Sequence, residues 1–275
     1  MLFSMKCLIL YYNAISVLHM KIVFIGAGNL ATHLSAALRA GGHDIVQIYS
    51  RTMASASALA ARVGAEPTDS IDSVCRDADV YIFAVKDDVL PQLATQLGGK
   101  CGDAVMLHTA GSVSMDVFRD VAHRYGVLYP MQSFSKTRHL ELRDVPVYIE
   151  ANCDEALAVA RTLANSVSVK VRELSGEARR RLHLAAVFAC NFVNCCYDLA
   201  SDAAVAAGVP FTDFLPLIDE TAAKMHELSP HDAQTGPAVR YDRSVMGRQM
   251  ELLEGDEAAL EVYKLMSDVI HRRHV

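Results

Sequence analysis

The chain has 275 residues, 52% of them hydrophobic and 21% charged, with a formal net charge of −6. So apolar a composition excludes an intrinsically disordered chain, and mild acidity argues against nucleic acid as a partner, because phosphate binding needs clustered Lys and Arg. At roughly 100–200 residues per domain, the length predicts two domains or one large one. Seven cysteines form an odd set without metal-type spacing, and adjacent Cys195 and Cys196 cannot readily bridge without strain. A reduced, cytoplasmic setting follows, with no metal. No apolar run in the sequence reaches the roughly 18–20 residues that span a bilayer, so no membrane is expected.

Residues 1–19 place Lys6 before an apolar stretch, Cys7 to Leu18, broken by Asn13 and Ser16. A charged start and a short apolar region is the pattern of an export signal. Asn13 interrupts that pattern, no clean small-residue cleavage site follows, and Met20 leads directly into a buried strand. The preferred expectation is that Met20 is the initiator and 1–19 a mis-called extension. An export signal and a structural arm are the alternatives.

From Met20 short apolar runs alternate with helical patterns. Lys21–Ile25 is a near-continuous apolar run before glycines, the mark of a strand buried on both faces. Asn29–Ala40 carries Leu30, Leu34, Ala37 and Leu38 at helical spacing and stops at Gly41-Gly42. Strands are then expected at Ile45–Tyr49, Val80–Val85, Ala104–His108, Val127–Tyr129, Val145–Glu150 and Val169–Glu173. Helices are expected at Ala54–Val63, Val89–Leu97, Met115–His123 and Asp154–Asn165. This alternation predicts an α/β fold with a doubly wound, mostly parallel sheet. Glu177–Ala207 lacks Pro and Gly and keeps helical apolar spacing, so it reads as one long helix ended by Gly208-Val209-Pro210. Further helices are expected at Phe211–Leu228, Ser244–Leu253 and Asp256–His271. The division is therefore 20–174 α/β and 175–275 all-helical. The apolar faces of the long helix exceed what a small helical domain buries, which predicts a homodimer through these helices.

Gly26-Ala27-Gly28-Asn29-Leu30-Ala31 fits G-x-G-x-x-G/A between a strand and a helix, the context that dinucleotide binding requires. Gly26 permits the tight turn, Gly28 a close backbone approach to a pyrophosphate, and helix-start amides bind the phosphates. After the second strand stand Ser50, Arg51 and Thr52, where an NAD site usually places a carboxylate. A cation with two hydroxyls suits a 2′-phosphate, so NADP(H) is the expected cofactor. Ala84, Val85 and Lys86, and Thr109, Ala110 and Gly111, end two further strands at the same crevice and complete the expected cofactor site.

Gly26–Ala31 with Ser50-Arg51-Thr52 and Phe83–Asp88 (FAVKDD) resembles the group of NADP-dependent F420 oxidoreductase, pyrroline-5-carboxylate reductase and ketopantoate reductase. The segments HTAGSVS (108–114), YPMQSFS (129–135), HLAAVFACNFVN (183–194) and SPHDAQTGPAVR (229–240) resemble, more specifically, the Rossmann-like proteins with a DUF2520 carboxy-terminal domain. The resemblance runs over nearly the whole chain after Met20. It implies a Rossmann domain followed by a helical domain related to that of 6-phosphogluconate dehydrogenase-like enzymes, and no defined substrate. F420 or flavin as the redox partner follows only from this resemblance.

Related hydroxyacid dehydrogenases use a Lys and an Asn one helical turn apart on the long helix. Here Val187 stands four residues before Asn191, and Cys190 four before Asn194, so that lysine is missing. The candidate catalytic residues are then His183 as proton donor, Asn191 to orient a substrate oxygen, and His108 at a strand end. Ser112, Gln132, Ser133, Asn194, Gln234 and Thr235 are candidate substrate contacts, the last two from a loop that could close over the cleft, even from a partner copy. Lys136 is a candidate anion anchor. Arg179-Arg180-Arg181 reads as a helix face or an acid-binding patch rather than a nucleic-acid site, and His271 and His274 read as solvated surface. The resulting expectation is an NADP(H)-dependent oxidoreductase reducing a small carbonyl or imine in a cleft between the domains. A non-catalytic NADP(H)-binding sensor or partner-recruiting dimer is the rival.

Overall fold

The computed structural model describes residues 19–275. The expectations for an export signal or an extension concern residues 1–18, which lie outside the described residues. Strands β1 (Lys21–Ile25), β2 (Asp44–Tyr49), β3 (Glu66–Thr68), β4 (Val80–Phe83), β5 (Val105–His108), β6 (Arg124–Pro130), β7 (Val147–Ala151) and β8 (Val171–Glu173) form one sheet in the order β3-β2-β1-β4-β5-β6-β7-β8. All neighbours pair parallel except β6 and β7. Ile25 sits opposite Tyr49 and Phe83, and Phe83 opposite His108, so the carboxyl ends of four strands share one edge.

Both faces of this sheet are buried, as the apolar strand runs require. Along β1 the pleat sends Ile22 and Phe24 into one apolar layer and Val23 and Ile25 into the other. The first layer is closed by α1 (Asn29–Ala40), α2 (Met53–Val63) and α4 (Asp154–Val167) through Leu34, Leu59 and Leu163. The second is closed by α3 (Leu90–Leu97) and by Phe118.

Two local expectations change. Met115–His123 is not a helix: only Met115–Phe118 forms a 3-10 turn, capped by the Ser114 hydroxyl, which accepts the Asp116 amide at 3.2 Å. Burial of Phe118 against Phe83 and Tyr125 holds this segment, and the chain must turn back at once into β6. The edge strand β3 escaped detection because Glu66-Pro67-Thr68 has no apolar alternation and carries a proline, which an edge tolerates.

The long helix is present as α5 (Gly176–Ala186), a π-helical turn at Val187–Phe192, and α6 (Val193–Ala206). By compactness the chain divides inside it, with one unit ending at Cys190 and the other running Asn191–Val275. The physical reason is that α5 is tied to the sheet by Arg179, described below. Gly176–Ala206 also holds an 18-residue stretch of mean hydropathy 1.3, so by length and composition alone this one helix could cross a membrane. The second unit continues through a 3-10 turn (Phe211–Phe214), α7 (Leu215–Ala223), a second such turn (Lys224–His226), α8 (Arg243–Glu251) and α9 (Glu257–Arg273). The single helix expected at Phe211–Leu228 is thus three short pieces. His271 and His274 are half-buried rather than solvated, His271 stacked on Tyr241 and His274 on His231.

Candidate active site

The shared strand edge carries a groove of about 980 Å³ within the first unit. Its floor is the loop after β1. Gly26 has φ +117, and a Cβ there would stand 2.3 Å from the Ala84 carbonyl oxygen, so only glycine fits. The Gly26 amide donates to the Tyr49 carbonyl at 2.8 Å, which holds the loop against β2. Gly28 caps α1 with no side-chain acceptor, so the amides of the first turn face an anion instead. Ala31 is fully buried, which lets the helix pack close to the strand. These are the features that a dinucleotide diphosphate needs.

The groove is lined by most of the expected cofactor residues: Gly26 to Leu30, Ser50, Arg51, Ala84 to Lys86, and Thr109 to Gly111. Thr52 is not among them. Its hydroxyl caps α2, accepting the Ser55 amide at 3.4 Å and donating to the Ser55 hydroxyl at 3.0 Å. Ser55 lines the groove in its place. An N-cap three residues past a strand end binds its own helix, so Thr52 has less to offer a phosphate.

His183 lines the same groove. From α5 its Nδ1 lies 3.1 Å from the Tyr129 hydroxyl at the end of β6, and the two rings meet edge-on. Gly111 makes room for it, since a Cβ there would stand 2.5 Å from Nδ1. Burial, and then the neighbouring Tyr148, hold the Tyr129 phenol above its usual pKa, so it keeps its proton at neutral pH. A phenol that keeps its proton can either donate to Nδ1 or accept from it, according to the imidazole tautomer, so the pair is one hydrogen-bonded unit beside the groove.

Arg179 fixes α5 one turn earlier. It is buried, and its guanidinium donates to the Glu150 carboxylate and to the Val113 carbonyl. Glu150 also accepts the Gly176 amide at 2.7 Å, which pins the start of the helix to β7.

His108 does not reach the groove. Its ring is fully buried beside Phe118, and Nδ1 accepts the Ala110 amide at 3.2 Å. Burial first, and the Arg179 charge second, push its pKa down to about 3. Fully buried and absent from the groove lining, it cannot touch a ligand held there, which corrects the expectation that it transfers a proton.

Among the expected substrate contacts, Gln132 lines the groove. Ser112 is turned instead to the Asp87 carboxylate, to which its hydroxyl donates, and the Ser133 amide is occupied by the Gln132 side-chain oxygen at 2.8 Å. Asn191, Asn194, Gln234 and Thr235 belong to the second unit. Asn191 lies inside the π-helical turn, so simple 3.6-residue counting from His183 does not place it. Lys136 lines a different cavity. Tyr129, Asp87, Asp88, Gln92 and Gln96 line the groove without having been singled out. Tyr129 could have been found by extending the strand-end rule from β4 and β5 to the next parallel strand. Among the described residues no cluster of His, Cys, Asp and Glu could hold a metal ion.

Comparison with known proteins agrees with this geometry. Residues 21–107 match the family described as NADP oxidoreductase, coenzyme F420-dependent, and residues 145–270 match the domain of unknown function DUF2520. A proposed NADP oxidoreductase of Bacteroides fragilis is 45% identical, with 94% of this chain and all of that chain covered at a TM-score of 0.90. An imine reductase of Myxococcus stipitatus, solved with NADP+, shares the fold at 18% identity and a TM-score of 0.63, over 92% of this chain and 93% of that one. A curated glutamyl-tRNA reductase of Caldivirga maquilingensis is 40% identical over 76 residues, 27% of this chain and only 19% of its own length.

Proposed function

The chain belongs to the family that joins an NADP oxidoreductase Rossmann domain to a DUF2520 domain, and on that premise we propose that it reduces a small carbonyl or imine with NADPH. The observation that carries this reading is the Tyr129–His183 pair at 3.1 Å, set beside Gly111 in the groove that the Gly26–Leu30 loop also lines. NADPH, when bound, supplies the hydride to carbon. The protein then has to orient the substrate and give one proton to its oxygen or nitrogen. His183 Nε2–H is that donor, and Tyr129 replenishes it through Nδ1. Either group alone is a weaker relay, because removing Tyr129 frees the tautomer of His183.

Arg51 is exposed on the groove wall, and Ser50-Arg51-Thr52 after β2 offers no carboxylate to the ribose, which supports NADP(H) over NAD(H). The second unit supports a homodimer. Few of its side chains are buried, whereas Leu217, Leu252, Leu265 and Met266 are exposed, and on α5 Leu184 is 57% exposed. Such apolar surface marks association, and a second copy is the reading we adopt over a membrane. Asn191, Asn194, Gln234 and Thr235 are retained as proposed substrate contacts. Six free cysteines among the described residues support a reducing, cytoplasmic compartment.

The test is fluorescence titration with NADPH and NADH, followed by loss of nicotinamide absorbance against keto acids, cyclic imines and oxidised F420. Tighter NADPH binding, and imine or keto-acid turnover lost in His183→Ala and reduced in Tyr129→Phe and Asn191→Ala, is the expected outcome. Full turnover in His183→Ala would overturn the proton-donor role. Tight NADPH binding with no turnover would leave the protein as a cofactor-binding sensor.

A further inference from the structure

A second cavity, of about 580 Å³, lies in the first unit and shares no lining residue with the dinucleotide groove. One wall is the face of α1 that carries Thr32, Ala36 and Ala40, small side chains that leave the space open. The facing wall is the loop 136–143. That loop is fixed against α1: His33 Nε2 lies 2.9 Å from the Ser135 carbonyl, and its ring packs on Phe134.

The charges around this hollow are one-sided. Arg62, Lys136, Arg138 and Arg143 line it against a single carboxylate, Glu141. None of the four cations enters an ion pair among the described residues, as is also true of Arg51 and Lys86 at the groove. In a chain of net charge −6, an excess of four cations over one carboxylate around one concavity reflects placement rather than composition. Arg62 stands in the last turn of α2 and has a helix carbonyl end to offset. The carboxyl ends of α1, at Ala40 and Gly41, and of α4, at Ser166 and Val167, also border the hollow, and four cations exceed what these helix ends require.

We propose that this cavity is a binding site for a small metabolite bearing a phosphate or carboxylate, separate from the cofactor. The four cations are solvent-exposed, but gathered around one concavity they raise the positive potential there, and guanidinium forks match the paired oxygens of either anion. The volume lies within the range of small-molecule sites. The alanine face of α1 and Leu142 receive the apolar body of the ligand. The first turn of α1 faces the dinucleotide loop and the rest of the helix walls this cavity, so one helix borders both sites.

The test uses the full chain, with and without saturating NADP+, in calorimetric titrations with pyrophosphate and, separately, tricarballylate. At least one probe is expected to bind once per chain in the presence of NADP+. That binding should weaken at least about tenfold in Arg138→Ala/Arg143→Ala and stay unchanged in Arg51→Ala. Which probe binds distinguishes a phosphate site from a carboxylate site, and either supports the proposal. No heat with either probe, binding abolished by NADP+ or by Arg51→Ala, or equal affinity in the double variant would each overturn it.

Discussion

Removing the Arg179 guanidinium should uncouple α5 from the sheet, and the cost can be worked from its surroundings. The Arg179 side chain is 1% exposed, and that of its partner Glu150 is 18% exposed. Truncating one member of a buried pair costs about 3–5 kcal/mol, because the other charge is left uncompensated. Glu150 keeps the Gly176 amide as a donor and some water, which places Arg179→Ala near the lower end, at about 3 kcal/mol. The chain has no Trp, so urea unfolding is followed by far-ultraviolet circular dichroism at pH 7. Glu150→Gln alone should cost less, and the double variant should cost less than the sum, since the two residues share one interaction. A loss below about 1 kcal/mol in Arg179→Ala, at an unchanged denaturant slope, would show that the pair does not hold the helix.

Three further outcomes are expected. Gly111→Ala puts a Cβ 2.5 Å from His183 Nδ1, so the ring must move by about 1 Å and leave Tyr129; kcat should fall by about 10² or more with a smaller change in NADPH affinity, and an unchanged kcat would dissociate the ring position from the chemistry. His108 has a native pKa of about 3 against an ordinary 6.5, so its contribution to stability is complete above pH 6.5 and is lost as pH falls toward 3. Melts between pH 4 and 6 should steepen by up to about 1.4 kcal/mol per unit for this group, and His108→Leu should flatten the slope. Leu184→Glu should shift sedimentation toward the monomer if the exposed apolar helix faces carry the dimer; an unchanged mass would place the interface elsewhere.

Much of the first unit was legible because its strands are buried on both faces and announce themselves as apolar runs, and because Gly26 and Gly28 punctuate the first crossover. The cofactor wall followed from one rule, that ligands lie beyond the carboxyl ends of parallel strands. The same rule misled at His108, since the last residue of a strand can face the core as easily as the crevice, and side-chain direction there depends on pleat phase. Three consecutive arginines allow a helix face or an acid-binding patch, and local sequence does not say which of them turns inward. Only the structure shows that one of them meets a carboxylate 29 positions earlier in sequence. The Tyr129–His183 contact joins residues 54 positions apart, and no local spacing encodes it. The π-helical turn was equally hidden, because its residues keep an apolar pattern compatible with an ordinary helix.

The antiparallel turn from β6 into β7 acts as a ruler. Because β7 and β8 run opposite to the other strands, the chain leaves the sheet at the edge away from the groove, and α5 has to climb back along it. Gly176 and Arg179 set the zero of that climb at Glu150, and His183 is the mark that arrives at Tyr129. Each inserted residue advances the mark by about 1.5 Å and turns it by about 100°. A one-residue insertion between Arg179 and His183 would therefore present Leu182 to the tyrosine, keeping the fold and exchanging a proton carrier for a hydrocarbon.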